Sequence, residues 1–257
     1  MITSNQNSKL KLARSLMGRP KERINAHAFV AEGVRLVEEA LLVGWPFRFV
    51  LTGDTLSVRG RALVQKLVTK GIEVEQVPDS LLNSVSETEN SQGILAVLDY
   101  SPLPIPQSID FVLIPDSIRD PGNLGTLLRT AAAAGVQAVF LPPETMDAFA
   151  PKVLRAGMGA HFRLPILSLS WDEIRNHTSG LQIYLAEMKG SVSCWQADFK
   201  VPLALIIGGE AEGASPAART LATQQVLIPM VGTTESLNAG IAGAILLFEV
   251  VRQRQNH

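Results

Sequence analysis

The sequence predicts an α/β protein of two domains, and three observations carry that prediction. The 257 residues are 46% hydrophobic and 18% charged, which supplies one large core or two ordinary ones and lacks the signature of disorder. Alternating prolines, Pro102, Pro104 and Pro106, interrupt the chain within residues 101–109. They fix φ and remove amide donors, so neither a helix nor a central strand survives there. Across that stretch the strand-like segments change from short pieces among helices to continuous apolar runs. The expected division is residues 1–100, a linker over 101–109, and residues 110–257.

In the first domain, Leu10, Leu12, Leu16 and Met17 stand among basic residues over 8–17. Residues 32–43 read as an amphipathic helix with Val34, Val37 and Leu41 on one face, ended by Gly44. A short strand follows at 47–51, then a helix at 58–69 with Leu63 and Leu67 at helical spacing and Gly71 as its cap. Residues 72–77 and 94–98 read as strands. Together these make a small α/β sandwich.

In the second domain the apolar runs 111–114, 138–141, 182–186, 203–207 and 226–228 suit a parallel sheet covered on both faces. Helices are expected between and after them, at 122–134, 149–157, 171–177, 215–222 and 236–254. Ligand loops of such a domain lie at the carboxyl ends of its strands.

Composition narrows the function classes. The lone Cys194 excludes an internal disulfide and a cysteine metal cluster, and reads as a small buried apolar residue in a reducing compartment. The opening residues lack the apolar core of a secretory signal, and the longest apolar stretch, Ala239 to Phe248, is too short for a membrane span. A soluble, cytoplasmic protein without a metal site is expected. Net charge is only −1, yet residues 1–23 hold Lys9, Lys11, Arg14, Arg19, Lys21 and Arg23 against the acid Glu22. Such an arm can pair with phosphates and release counterions, or simply be solvated.

Three segments share a layout of apolar strand, glycine- or proline-marked polar turn, and helix. In the first, Asp120 or Asn123 can cap a helix opened by Pro121 and Gly122, and Arg129 follows six residues after Asn123. Asn123, Gly125 and the helix N-terminus make an anion-receptive setting for that arginine. In the second, Gly208 and Gly209 at a strand end allow close approach to the backbone, with Glu210 beside them. The spacing, with Gly213 next, is not that of a dinucleotide fingerprint, which makes a nucleotide-dependent dehydrogenase remote. In the third, Ser236 reads as the cap of a small-residue helix, Ala239 to Ala244, whose close packing favours self-association.

Taken in order, Asn123-x-Gly125-x-x-x-Arg129, Gly208-Gly209-Glu210-x-x-Gly213 and Ile228-Pro229-Met230-x-Gly232-x-x-x-Ser236-Leu237-Asn238 resemble the three motifs of the SpoU (TrmH-like) RNA 2′-O-ribose methyltransferases. The stretch from Arg155 to Pro165 resembles the link between the first two. Upstream, residues 29–41 and 92–97 resemble the L30e-like substrate-binding domain that precedes many such enzymes, with one departure at His27-Ala28, where relatives often carry a small residue and glycine.

The resemblance implies a C-terminal α/β domain tied in a deep trefoil knot, S-adenosyl-L-methionine as cofactor, a homodimer, and RNA as partner, ribosomal rather than transfer RNA. It implies cofactor contacts at Ala186, Glu187, Met188, Gly208, Gly209, Ile228, Met230, Ser236, Leu237 and Asn238. It places catalysis on Arg129, with Asn123, Glu210, Ser236 and Asn238 orienting it, the ribose and the cofactor's methionine end. RNA contacts are expected from Lys9, Lys11, Arg19, Arg23, Glu32, Arg129 and Arg155. The competing expectations are a transfer-RNA methyltransferase and a noncatalytic RNA-binding or ribosome-assembly protein on the same fold.

Overall fold

In the computed structural model of the chain, residues 2–87, 91–209, 213–233 and 236–255 are described. They form two compact units, residues 1–101 with 149–162, and residues 102–148 with 163–257.

The first unit is a four-stranded mixed sheet in the order β1-β4-β2-β3, with β1 (Ala28–Glu32), β2 (Phe47–Thr52), β3 (Val74–Gln76) and β4 (Ile94–Asp99). β4 runs antiparallel to β1 and β2, and β3 parallel to β2. Asn7 caps α1 (Ser8–Gly18) by accepting from the amide of Lys9 at 2.8 Å. Leu10, Ala13, Leu16 and Met17 of α1 pack on Ala28, Val30, Phe49 and Leu51. Pro20 then stops α1 and opens α2 (Pro20–Ala26). α3 (Val34–Leu42) and α4 (Val58–Thr69) pack on each other, and α5 (Asp79–Asn83) is a single short turn.

Residues 32–43 are therefore not one helix. Glu32 ends β1, Gly33 turns the chain at φ +99°, and the helix starts at Val34. The apolar run Phe29-Val30-Ala31 merges in sequence with the helical pattern behind it, because β1 is buried at all five residues and shows no alternation.

Residues 149–162, which the sequence reading grouped with the second domain, pack into this first unit. Their helix α7 (Pro151–Gly157) lies against β1. The Phe149 ring is 4.9 Å from Phe29 and 4.8 Å from Tyr100, and Phe162 is 5.1 Å from Trp45. Arg155 reaches Glu32 at 3.1 Å and Glu87 at 3.8 Å, and Ser86 donates to the same Glu32 carboxylate.

The second unit is a seven-stranded sheet in the order β7-β6-β5-β10-β8-β11-β9, parallel throughout. The strands are β5 (Phe111–Asp116), β6 (Ala138–Leu141), β7 (Ile166–Ser168), β8 (Gln182–Ala186), β9 (Val192–Ser193), β10 (Leu203–Gly208) and β11 (Gln224–Leu227). The continuous apolar runs are buried, as the parallel-sheet expectation requires. The short edge strands β7 and β9 carry no such run and were not legible. The helices are α6 (Pro121–Ala134), α8 (Trp171–His177), α9 (Pro216–Leu221) and α10 (Ala239–Gln255). Among the described residues no helix is long and apolar enough to cross a membrane.

Candidate active site

The second unit holds a cavity of about 550 Å³ at the carboxyl ends of β8, β10 and β11. Its apolar wall comes from Ile207, Val226, Ile228 and Leu237, with Ala239 and Ala242 of α10 behind them. Its polar groups are Glu187, Ser236, Asn238 and Arg219, and Met188 and Met230 stand beside it, both solvent-exposed. That volume and balance fit a small heterocyclic ligand, for which pockets of roughly 300–1,000 Å³ are usual.

Glycine is required here by proximity. A Cβ on Gly208 would lie 2.6 Å from the amide nitrogen of Ala214, and one on Gly209 would strike the carbonyl oxygen of Ser117. A Cβ on Gly190 would lie 2.6 Å from the carbonyl carbon of Val226. Three loops thus pass one another at backbone distance. Asp116, fully buried at the end of β5, fixes one of them by accepting from the amide of Ser215 at 2.6 Å.

Asn238 ties the first and third motifs together. Its Nδ2 donates to Oδ1 of Asn123 at 2.8 Å, and its Oδ1 accepts from the amide of Ile241 at 3.2 Å. Asn238, not Ser236, is therefore the residue that caps α10, because the helix begins at Ala239 and only Asn238 stands next to it. In α6 the open choice of cap resolves to Asp120, which accepts from the amide of Asn123 at 2.8 Å. The small residues of α10 serve packing within the unit. A Cβ on Gly243 would overlap Leu127 of α6, and one on Gly240 would lie 3.3 Å from Thr126.

Ala186, Glu187, Met188, Gly208, Gly209, Ile228, Met230, Ser236, Leu237 and Asn238 all line the cavity. Arg129 does not; it is exposed on α6 and makes no hydrogen bond or ion pair with the described residues. Glu210 lies outside the described residues. Of the cations expected to meet RNA, Lys11 and Arg19 are exposed. Lys9 is bonded to Glu73 and Glu75. Arg23 is buried, donating to the carbonyl oxygens of Leu16 and Met17. Glu32 is buried against Arg155 and Ser86. Arg219 went unnoticed in the sequence: it sits in an ordinary helix 32 residues from its partner Glu187, and no spacing announces such a pair.

Cys194 and Glu249 are among the perturbed groups that lie away from the cavity. Burial, and then the charge of Glu249, push the Cys194 thiol up to about 11. The hydrogen bond from Arg252 holds the Glu249 carboxyl below its ordinary value.

Comparison with known proteins places these features. The SpoU rRNA Methylase family profile matches residues 110–248, and that of the MRM3-like substrate binding domain matches residues 7–96. The RlmP 23S rRNA (guanosine(2553)-2′-O)-methyltransferase of Bacillus subtilis is 32% identical, over 97% of this chain and 98% of that protein. A 23S rRNA (uridine(2479)-2′-O)-methyltransferase of Streptomyces viridochromogenes is 32% identical, over 98% of this chain and 92% of its own. The crystal structure of an AdoMet-bound rRNA methyltransferase from Sinorhizobium meliloti matches with a TM-score of 0.84 at 32% identity, covering 98% of this chain and 97% of that one.

Proposed function

Because the chain belongs to the SpoU rRNA methylase family, we propose that it methylates a ribose 2′-hydroxyl of large-subunit ribosomal RNA. It is an S-adenosylmethionine-dependent RNA 2′-O-methyltransferase. The observation that carries the site assignment is the cavity bounded by the second and third motifs and joined to the first through the Asn238–Asn123 hydrogen bond. The cavity's chemistry fits the cofactor: apolar walls for an adenine, with Glu187, Ser236 and Asn238 for the polar parts. Close crossings at Gly190, Gly208 and Gly209 support the knotted threading that the motifs imply.

When bound, S-adenosylmethionine supplies an electrophilic methyl on a sulfonium. The chain's own residues must hold a ribose hydroxyl in line and favour loss of its proton. Arg129 is suited to the RNA side because its guanidinium is exposed and makes no hydrogen bond or ion pair among the described residues. It stays protonated at neutral pH, so its role is to grip a phosphate and stabilise developing negative charge, while the proton leaves to phosphate or water. Asn123 and Asn238 hold the start of α10 to α6, and Ser236 adds to the polar side of the pocket.

The N-terminal domain, matched by the substrate-binding profile, is assigned to RNA. Lys11, Arg19 and Lys21 are exposed cations on the basic arm; Lys9, Arg23, Glu32 and Arg155 act by holding the domain's shape. Self-association through α10 is supported by Ile241 and Phe248, each 50% exposed and two turns apart on one face. The chemistry and its compartment follow the substrate, which suits the cytoplasm of a bacterial cell.

The test is transfer of a labelled methyl from S-adenosylmethionine to purified 23S rRNA, 16S rRNA and tRNA, followed by mapping of alkali-resistant linkages. Label on 23S ribose is the expected result. Label confined to tRNA would replace the substrate assignment, and the absence of label on any RNA would favour the noncatalytic RNA-binding alternative.

A further inference from the structure

One ion pair stands in the cavity. Glu187 follows the last residue of β8, and Arg219 belongs to α9. Both residues line the cavity. Arg219 donates from Nε to Oε1 of Glu187 at 3.0 Å, and the ion pair brings its Nη2 within 2.9 Å of the same oxygen. The Glu187 backbone is fixed as well: its amide donates to the carbonyl oxygen of Val226 at 2.9 Å, and its own carbonyl accepts from the amide of Gly190 at 3.2 Å. The consequence is a carboxylate whose position is set by three bonds and whose second oxygen, Oε2, makes no hydrogen bond among the described residues.

A carboxylate neutralised by a guanidinium differs chemically from a bare one. It offers little net field to a cation, because any ammonium drawn to Oε2 also meets the charge of Arg219. It remains a strong hydrogen-bond acceptor aimed in one direction. Vicinal hydroxyls suit such an acceptor, and a fixed acidic side chain is the usual reader of a nucleoside ribose. The other polar pair, Asn238 with Asn123, is carried by different elements, the start of α10 and α6. The cavity's polar ends are thus divided between two sets of elements, one tied to the reaction motif and one not.

Resting on the cofactor reading above, we propose that Glu187 takes the 2′,3′-diol of the adenosine ribose, and that Arg219 is the positioning residue that holds Glu187 for it. Sugar recognition is then separate from the groups that serve the methyl transfer, and a change at Arg219 alters affinity without altering the reacting atoms.

The experiment is calorimetric titration of the full-length protein with S-adenosylhomocysteine and with its 3′-deoxy analogue, using wild type, E187Q, R219M and R219K. Wild type should bind the deoxy ligand about tenfold more weakly, the usual size of a hydrogen bond to a charged acceptor. E187Q should bind S-adenosylhomocysteine about tenfold more weakly and discriminate between the two ligands less than about twofold. R219M should lose part of the discrimination and R219K regain some of it, with ligand-free melting temperatures unchanged, since the pair is partly exposed. An E187Q protein that still discriminates as wild type does, or that weakens both ligands equally, would overturn the inference by reducing Glu187 to a brace for its turn. Wild-type protein that bound neither ligand would overturn the cofactor reading and this inference with it.

Discussion

The two units organise their close contacts by opposite means. In the first, charged side chains are committed inward or to one another: Lys9 to Glu73 and Glu75, Arg23 to backbone carbonyls, Arg155 to Glu32. In the second, the cavity is formed by bare backbone crossing bare backbone at Gly190, Gly208 and Gly209, while Arg129 is exposed and has no partner among the described residues. The difference separates structural from chemical use of the same residue types. Arg155 is spent on a buried carboxylate, whereas Arg129 is exposed and has no ion pair among the described residues.

That contrast breaks most easily at Arg129. Arg129→Ala should lower turnover by about a hundredfold or more and leave thermal melting within about 0.5 kcal/mol of wild type, as for other exposed, unpartnered side chains. Loss of stability in a melting experiment, with turnover intact, would place Arg129 with the structural arginines. The next effect is steric. Gly208→Ala must displace the backbone at Gly213 and Ala214, costing about 3 kcal/mol and abolishing S-adenosylhomocysteine binding by calorimetry. Gly44→Ala in the first unit should cost only about 1 kcal/mol, because its φ is +70° but nothing stands within 4 Å.

Glu32→Ala tests the other half of the comparison. It removes the buried partner of Arg155 and Ser86, and about 2 kcal/mol of stability should go, less than for a fully buried pair because Arg155 reaches solvent. Denaturant titration with preserved S-adenosylhomocysteine binding is the expected pattern. The smallest effect is a pH dependence at Glu249. Its folded-state carboxyl is held below the ordinary value by Arg252, so its contribution is present above the unfolded value and lost as pH falls through the folded one. Melting temperature should therefore drop less steeply below about pH 4.5 in Glu249→Gln than in wild type.

What the sequence disclosed follows the same divide. The buried parallel strands announce themselves as apolar runs, and the cavity residues sit in motifs whose order along the chain is their signature. Contacts made by pairs far apart in sequence left no trace: Glu187 with Arg219 and Glu32 with Arg155. β1 was hidden because a strand buried on both faces lacks the alternation that would set it apart from the following helix. The basic arm reads as open to phosphate or to solvent, whereas acids distant in sequence claim Lys9, and Arg23 turns inward.

The packing of residues 149–162 with residues 1–101 also governs how this protein can be cut. Neither unit is a single contiguous piece, so severing the proline-rich linker would not yield two self-sufficient halves. The C-terminal fragment would carry Phe149 and Phe162 stripped of Phe29, Tyr100 and Trp45. The N-terminal fragment would expose the face of β1 that α7 covers. Grafting the first unit onto another protein requires carrying the inserted segment along with it.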